Sequence, residues 1–242
     1  MLIRNGCRIL VILACAGTTV GARADTVLIP AARANTLFSD PAGSLSSGAG
    51  TGLFAGNNSL SNTRRALLFF DVAAAIPAGA TVDSVELRLN VSSSPNTTPQ
   101  LFTVHRVLHP WGEGSSVSTG GAGAPSAPGD ATWIHRFYPD SLWTTPGGDF
   151  DPAPHAATTI GPLGLYTWSG EALTLDVAGW LASPSDNFGW LVRGNEGAAS
   201  TVRLFDSRES NVEPILVVHV TPTSNPTRRQ TWGYVKSLYR AP

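Results

Sequence analysis

Between Ser84 and Val91 the chain alternates without a break. Val85, Leu87, Leu89 and Val91 are apolar, while Ser84, Glu86, Arg88 and Asn90 are polar. A period of two gives a strand one face for a core and one for water; a helix would scatter the same apolar set around its circumference. Upstream, Ala66-Leu67-Leu68-Phe69-Phe70 is an apolar run fenced by Arg64-Arg65 and Asp71. It is too short for an ordinary helix and suits a strand covered on both faces. Ile76-Pro77-Ala78-Gly79-Ala80 lies between the two, with Pro fixing one φ and Gly relaxing another, as a turn requires.

The same reasoning extends along the chain. Strands are expected at 26–30, at 101–108 (ended by Pro110-Trp111-Gly112), at 131–137 around Trp133, at 188–193, at 201–206, and at 215–220 behind Pro214. Residues 173–177 alternate as a further strand, running into one helical turn at 178–181 capped by Asp176. Residues 39–63, rich in Ser, Gly and Asn, are expected as a long loop. Gly112 to Thr132 is Gly/Ala/Ser/Pro of low complexity with little to bury, either a loose insertion or a loop that orders over a ligand. Short strands, frequent turn signals and almost no helix predict an all-β chain: an antiparallel β-sandwich of jelly-roll type, in one domain spanning 25–221.

The N-terminus has the layout of an export signal. Arg4 and Arg8 precede an apolar stretch at 9–16, and Ala22-Arg23-Ala24 offers a small-x-small cleavage site before Asp25. The apolar stretch is far shorter than the roughly 20 residues a membrane span needs. A lipoprotein cut at Cys15 is the alternative. Residues 1–24 are therefore expected to leave as a signal peptide, giving a secreted product. Cys7 and Cys15 leave with them, so disulfides, thiolate catalysis and cysteine-based zinc sites drop out together. The body 25–221 has 9 bases and 17 acids, or −8, which argues against a nucleic-acid surface. Residues 222–242 read as a basic tail outside the fold, with Arg228, Arg229, Lys236 and Arg240 and no acid. Tyr234 and Leu238, like Val235 and Tyr239, have helical spacing there; a frayed end and a cell-surface attachment signal both fit.

These motifs, taken in order, form a family pattern. Arg65-Ala66-Leu67-Leu68-Phe69-Phe70-Asp71, Ile76-Pro77-Ala78-Gly79-Ala80 and Val85-Glu86-Leu87-Arg88-Leu89 come first. Val104-His105-Arg106-Val107, Trp111-Gly112-Glu113-Gly114, Trp133 and Gly147-Gly148-Asp149-Phe150-Asp151 follow. Trp180, Asn187-Phe188-Gly189-Trp190-Leu191, Phe205-Asp206-Ser207-Arg208-Glu209 and Pro214-Ile215-Leu216 close the set. Over nearly all of 26–221 the chain resembles the DNRLRE domain proteins, also grouped as carbohydrate-binding module family 96. The resemblance implies a secreted bacterial or archaeal jelly-roll sandwich of the kind that accompanies polysaccharide-degrading domains or large surface proteins.

Sugars are held on such scaffolds by flat aromatic faces, with carboxylates, amides and Arg reading the hydroxyls. Trp180 and Trp190 sit among apolar neighbours and are expected in the core. Trp111 and Trp143 lie among Gly and Pro, where each either caps the core or forms a sugar platform, with Glu113 and Arg208 as hydrogen-bonding neighbours. Asp149 and Asp151 after two glycines either offer oxygens to a structural Ca²⁺ or are ordinary turn acids; they lack EF-hand spacing. Arg65, Arg208 and Glu209 are expected as a charged cluster at strand ends. No Gly-x-Ser-x-Gly elbow, His-Glu-x-x-His or phosphate loop is present, and the five histidines lack metal-ligand spacing. The expectation is a non-catalytic module that binds polysaccharide and needs no cofactor; the alternative is a structural cell-surface or matrix protein that touches no sugar.

Overall fold

The computed structural model describes residues 24–223, so residues 1–23 of the expected signal peptide and 224–242 of the tail lie outside it. Eleven strands form one curled antiparallel sheet. They are β1 (Asp25–Pro30), β2 (Arg33–Phe38), β3 (Gly52–Asn57), β4 (Thr63–Phe69), β5 (Thr81–Ser93), β6 (Gln100–Arg106), β7 (Ala156–Ile160), β8 (Gly164–Ser169), β9 (Trp190–Arg193), β10 (Arg203–Asp206) and β11 (Ile215–Thr221). The sheet folds over itself into two layers. In one, the long strand β5 takes β8 on one edge and β11 then β10 on the other, with β1 beyond β11. In the second the order is β2-β4-β9-β6-β7. This is an all-β, jelly-roll-like sandwich.

β3 joins the layers. Its first residues pair with β10, and Gly56 and Asn57 then pair with Arg64 and Thr63 of β4. The change of partner needs a bend that L side chains resist: Gly56 has φ +101°, and a Cβ there would meet Thr201 O and Val202 Cα at 2.9 Å. That strand lies inside the expected loop at 39–63. Its two glycines and the polar residues of β2 hid the period of two, although Leu53 and Ala55 are buried on one face.

The alternation on β5 aligns the interior. Leu87 stands opposite both Leu216 and Trp168, Val85 opposite Val218, and Val91 opposite Phe205. Phe102, Phe205 and Trp168 meet edge-on at 5.8 and 6.2 Å, the geometry aromatic quadrupoles favour. A short helix, α1 (Val72–Ala75), and a longer one, α2 (Glu171–Ala182), contribute to this same core. α2 replaces the strand expected at 173–177. Leu173, Val177 and Trp180 also have helical spacing, and the helix buries all three while leaving Leu175 63% exposed. Asp176 is therefore an inward-facing residue of the helix, and the N-cap position belongs to Gly170.

The residues between β6 and β7 form a strap across the outside of the second layer. Val107, Trp111, Ala131 and Trp143 pack there on Leu37, Leu67 and Leu191 as a second apolar cluster. Both Leu67 and Leu68 are consequently 0% exposed, on opposite faces of β4, as the unbroken apolar run predicts. Gly112 to Thr132 is part of this strap, and in place of a loose insertion it has its own organiser. Buried Asp130 accepts from the N–H groups of Ser115 and Ala127 at 2.9 and 2.7 Å. The strand expected at 131–137 shortens to His135–Phe137, paired with Ser141–Leu142. No helix among the described residues is long and apolar enough to cross a membrane.

Candidate functional site

The two loop tryptophans expected as a sugar platform lie under the strap. Trp111 is 0% exposed; its Nε1–H donates to Phe188 O at 2.8 Å and its carbonyl accepts from Arg33 at 2.8 Å. The Arg33 guanidinium lies 4.1 Å from the Phe69 ring centroid and 5.1 Å from that of Trp111, in cation–π range of both. Trp143 is 5% exposed and donates to Thr132 O at 3.0 Å. Neither indole presents a face to a ligand. Of the two fates open to them, both tryptophans take the core-capping one, because β4 and β9 offer an outer apolar face that needs cover. Trp180 and Trp190 are core residues, 4.6 Å apart by ring centroid.

Glu113 and Arg208 do come together, but on each other. Arg208 Nε lies 2.8 Å from Glu113 Oε1, and its NH2 lies 2.8 Å from Glu209. The same Glu113 oxygen accepts the Ala34 N–H at 2.8 Å, a backbone donor on the outer edge of β2. Asn35, also on β2, donates to the carbonyls of Glu113 and Ala131. Glu113 thus seals the β2 edge and fixes the start of the strap. Burial pushes its carboxyl above the ordinary range, and the Ala34 N–H and Arg208 only partly offset this.

Asp149 and Asp151 organise loops. Asp149 accepts from the N–H groups of Thr144 and Thr145 at 2.8 and 2.9 Å, with His109 at 3.9 Å. Asp151 accepts from Ala153 N–H at 3.0 Å and faces His155 Nε2 at 3.4 Å; the Ala153 and His155 contacts hold its carboxyl below the usual range. These oxygens already have donors, and among the described residues no group of three or more His, Cys, Asp or Glu is placed to hold a metal ion. His155 bridges instead to α2: its Nδ1 lies 2.6 Å from Asp176 Oδ2, which also accepts Trp190 Nε1–H at 2.8 Å. Burial raises the Asp176 carboxyl, with Trp190 and His155 pulling the other way.

The expected cluster of Arg65, Arg208 and Glu209 divides into two. Arg65 reaches Glu196 by two bonds of 2.7 and 2.9 Å and donates to Gly147 O at 2.8 Å. Arg193 joins the same carboxylate at 2.9 Å. Burial alone would raise Glu196, but the two arginines outweigh it and hold the carboxyl below its ordinary range. Beside this cluster Arg193 of β9 stands opposite Thr103 of β6. A cleft of about 610 Å³ opens there, lined by Leu101, Thr103, Arg193, Asn195 and Glu196. Arg193, 41% exposed, is shared with Glu196; beside the exposed Leu101, Thr103 bonds His105 at 2.8 Å and Asn195 donates to Gln100 at 2.8 Å. Sequence reasoning missed this cleft. Arg193 ends an apolar strand and Asn195-Glu196-Gly197 reads as a plain turn, so only the non-local pairing of β9 with β6 assembles it.

Fold and geometry together define an antiparallel β-sandwich whose outer layer is strapped by a long connection. No family model matches the chain, and no curated protein matches it.

Proposed function

We propose that the domain is a non-catalytic structural module of an exported cell-surface or extracellular-matrix protein. One observation carries the proposal: the aromatic and charged residues behind the DNRLRE resemblance are engaged inside the domain. Trp111 and Trp143 are buried, and Glu113 is occupied by Arg208 and the β2 edge. A sugar module keeps such groups facing outward; a structural module uses them to lock one element to the next. Export rests on the N-terminal segment. The test is retention of the purified exported protein on insoluble polysaccharides and a glycan array, and no retention is expected.

A polysaccharide-binding role is the second reading, favoured by the cleft at Arg193 and Asn195 rather than by the tryptophans. If that reading holds, the protein is retained on a polysaccharide and Arg193→Ala releases it at a temperature well below the thermal midpoints of both proteins, since the substitution also takes one arginine from Glu196.

A further inference from the structure

A groove of about 450 Å³ lies between β5 and the start of α2, lined by Asp83, Glu86, Ser169, Glu171 and Thr174. From its place on the chain and its chemistry, we infer that it is the docking site of the protein's own C-terminal tail, residues 224–242. The inference is independent of the role proposed above.

The chain passes the Asp83 end of this groove and leaves the fold beside Gly79, so the tail doubles back to enter it. Thr221, the last residue of β11, donates its hydroxyl to Asp83 at 2.8 Å, and the described residues end two positions later at Thr223. The remaining residues, at up to about 3.3 Å each, span far more than the groove. The charges are complementary. The tail carries Arg228, Arg229, Lys236 and Arg240 and no acid. In the groove, Glu86 shares its carboxylate with Arg88 at 2.6 Å, whereas Asp83 and Glu171 pair with no cation among the described residues. The apolar parts match as well. Leu175, one turn along α2 from Glu171, is 63% exposed, and the tail supplies Trp232, Tyr234, Leu238 and Tyr239.

Exposed ion pairs are individually weak, so a separate basic peptide would not stay. A tether changes this: a short linker holds the segment at an effective concentration in the millimolar range, where weak contacts suffice. The tether therefore favours the chain's own tail over a partner in solution.

The test is trypsin cleavage after Arg228, Arg229 and Lys236 in the full chain, followed by mass spectrometry and normalised to the free 224–242 peptide. At low salt, cleavage is expected about tenfold slower than in the Asp83→Asn/Glu171→Gln variant, which adds no tryptic site. Both positions are exposed and Asp83→Asn keeps an oxygen for Thr221, and cleavage is compared well below the thermal midpoints of both proteins. Raising NaCl to about 0.5 M should remove the protection in the parent without any substitution. Equal rates in parent and variant would overturn the inference. So would protection that grows with protein concentration, which would put the tail on a second copy.

Discussion

Glu113 does three things with one carboxylate: it neutralises Arg208, caps the free N–H of Ala34, and anchors the strap where it crosses β2. The arrangement has a pH signature. Burial, the largest influence, raises the folded carboxyl above its ordinary value of 4.5. A group raised in the folded state contributes stability that is complete below the unfolded pKa and is lost as pH climbs through the folded one. Glu113→Gln removes that titration and keeps an oxygen for Ala34. Its thermal midpoint, relative to the parent, should therefore rise as pH goes from about 4 to about 7. A pH-independent difference would mean that Glu113 is not buried against β2. Trp111 and Glu113 were legible as special residues because they stand in a Trp-Gly-Glu-Gly turn. Their direction was not, since a turn faces inward or outward according to which strand it crosses.

At the level of elements, sequence reasoning succeeded where one face of a strand is wet or an apolar run marks both as covered, and failed where polar residues are buried or glycine intervenes. β5 was plain from its alternation, and the burial of β4 from its apolar run. β2 was hidden because Asn35 and Thr36, both 0% exposed, serve the strap and β3 rather than solvent. α2 was mistaken because Leu173, Leu175 and Val177 alternate as a strand would, while Leu173, Val177 and Trp180 have the helical spacing. A direct comparison separates them. Leu173→Ala should cost about 2–5 kcal/mol in chemical denaturation, while Leu175→Gln should stay within about 0.5 kcal/mol. If both positions proved costly, the segment would be a strand after all. At the joint in β3, Gly56→Ala faces both a positive φ and the Thr201–Val202 backbone, so a loss of more than about 1 kcal/mol is expected by the same measurement. A neutral result would remove the bend from the account of how the layers connect.

For the molecule as a whole, two apolar clusters hold three layers of chain together: one between the sheets, and one between the second sheet and the strap. With no cysteine among residues 25–221, this packing and the buried ion pairs carry the stability. The sandwich was visible in the sequence as a class. The strap was not, because its low-complexity composition conceals that Asp130, Ala131 and Thr132 are buried. The central claim is that Trp111 and Trp143 serve architecture rather than a ligand. Trp111→Ala, assayed in parallel for thermal stability and for polysaccharide retention, tests it most directly. The account predicts a loss of about 3–5 kcal/mol with no retention to lose. An unchanged midpoint together with abolished retention would contradict it.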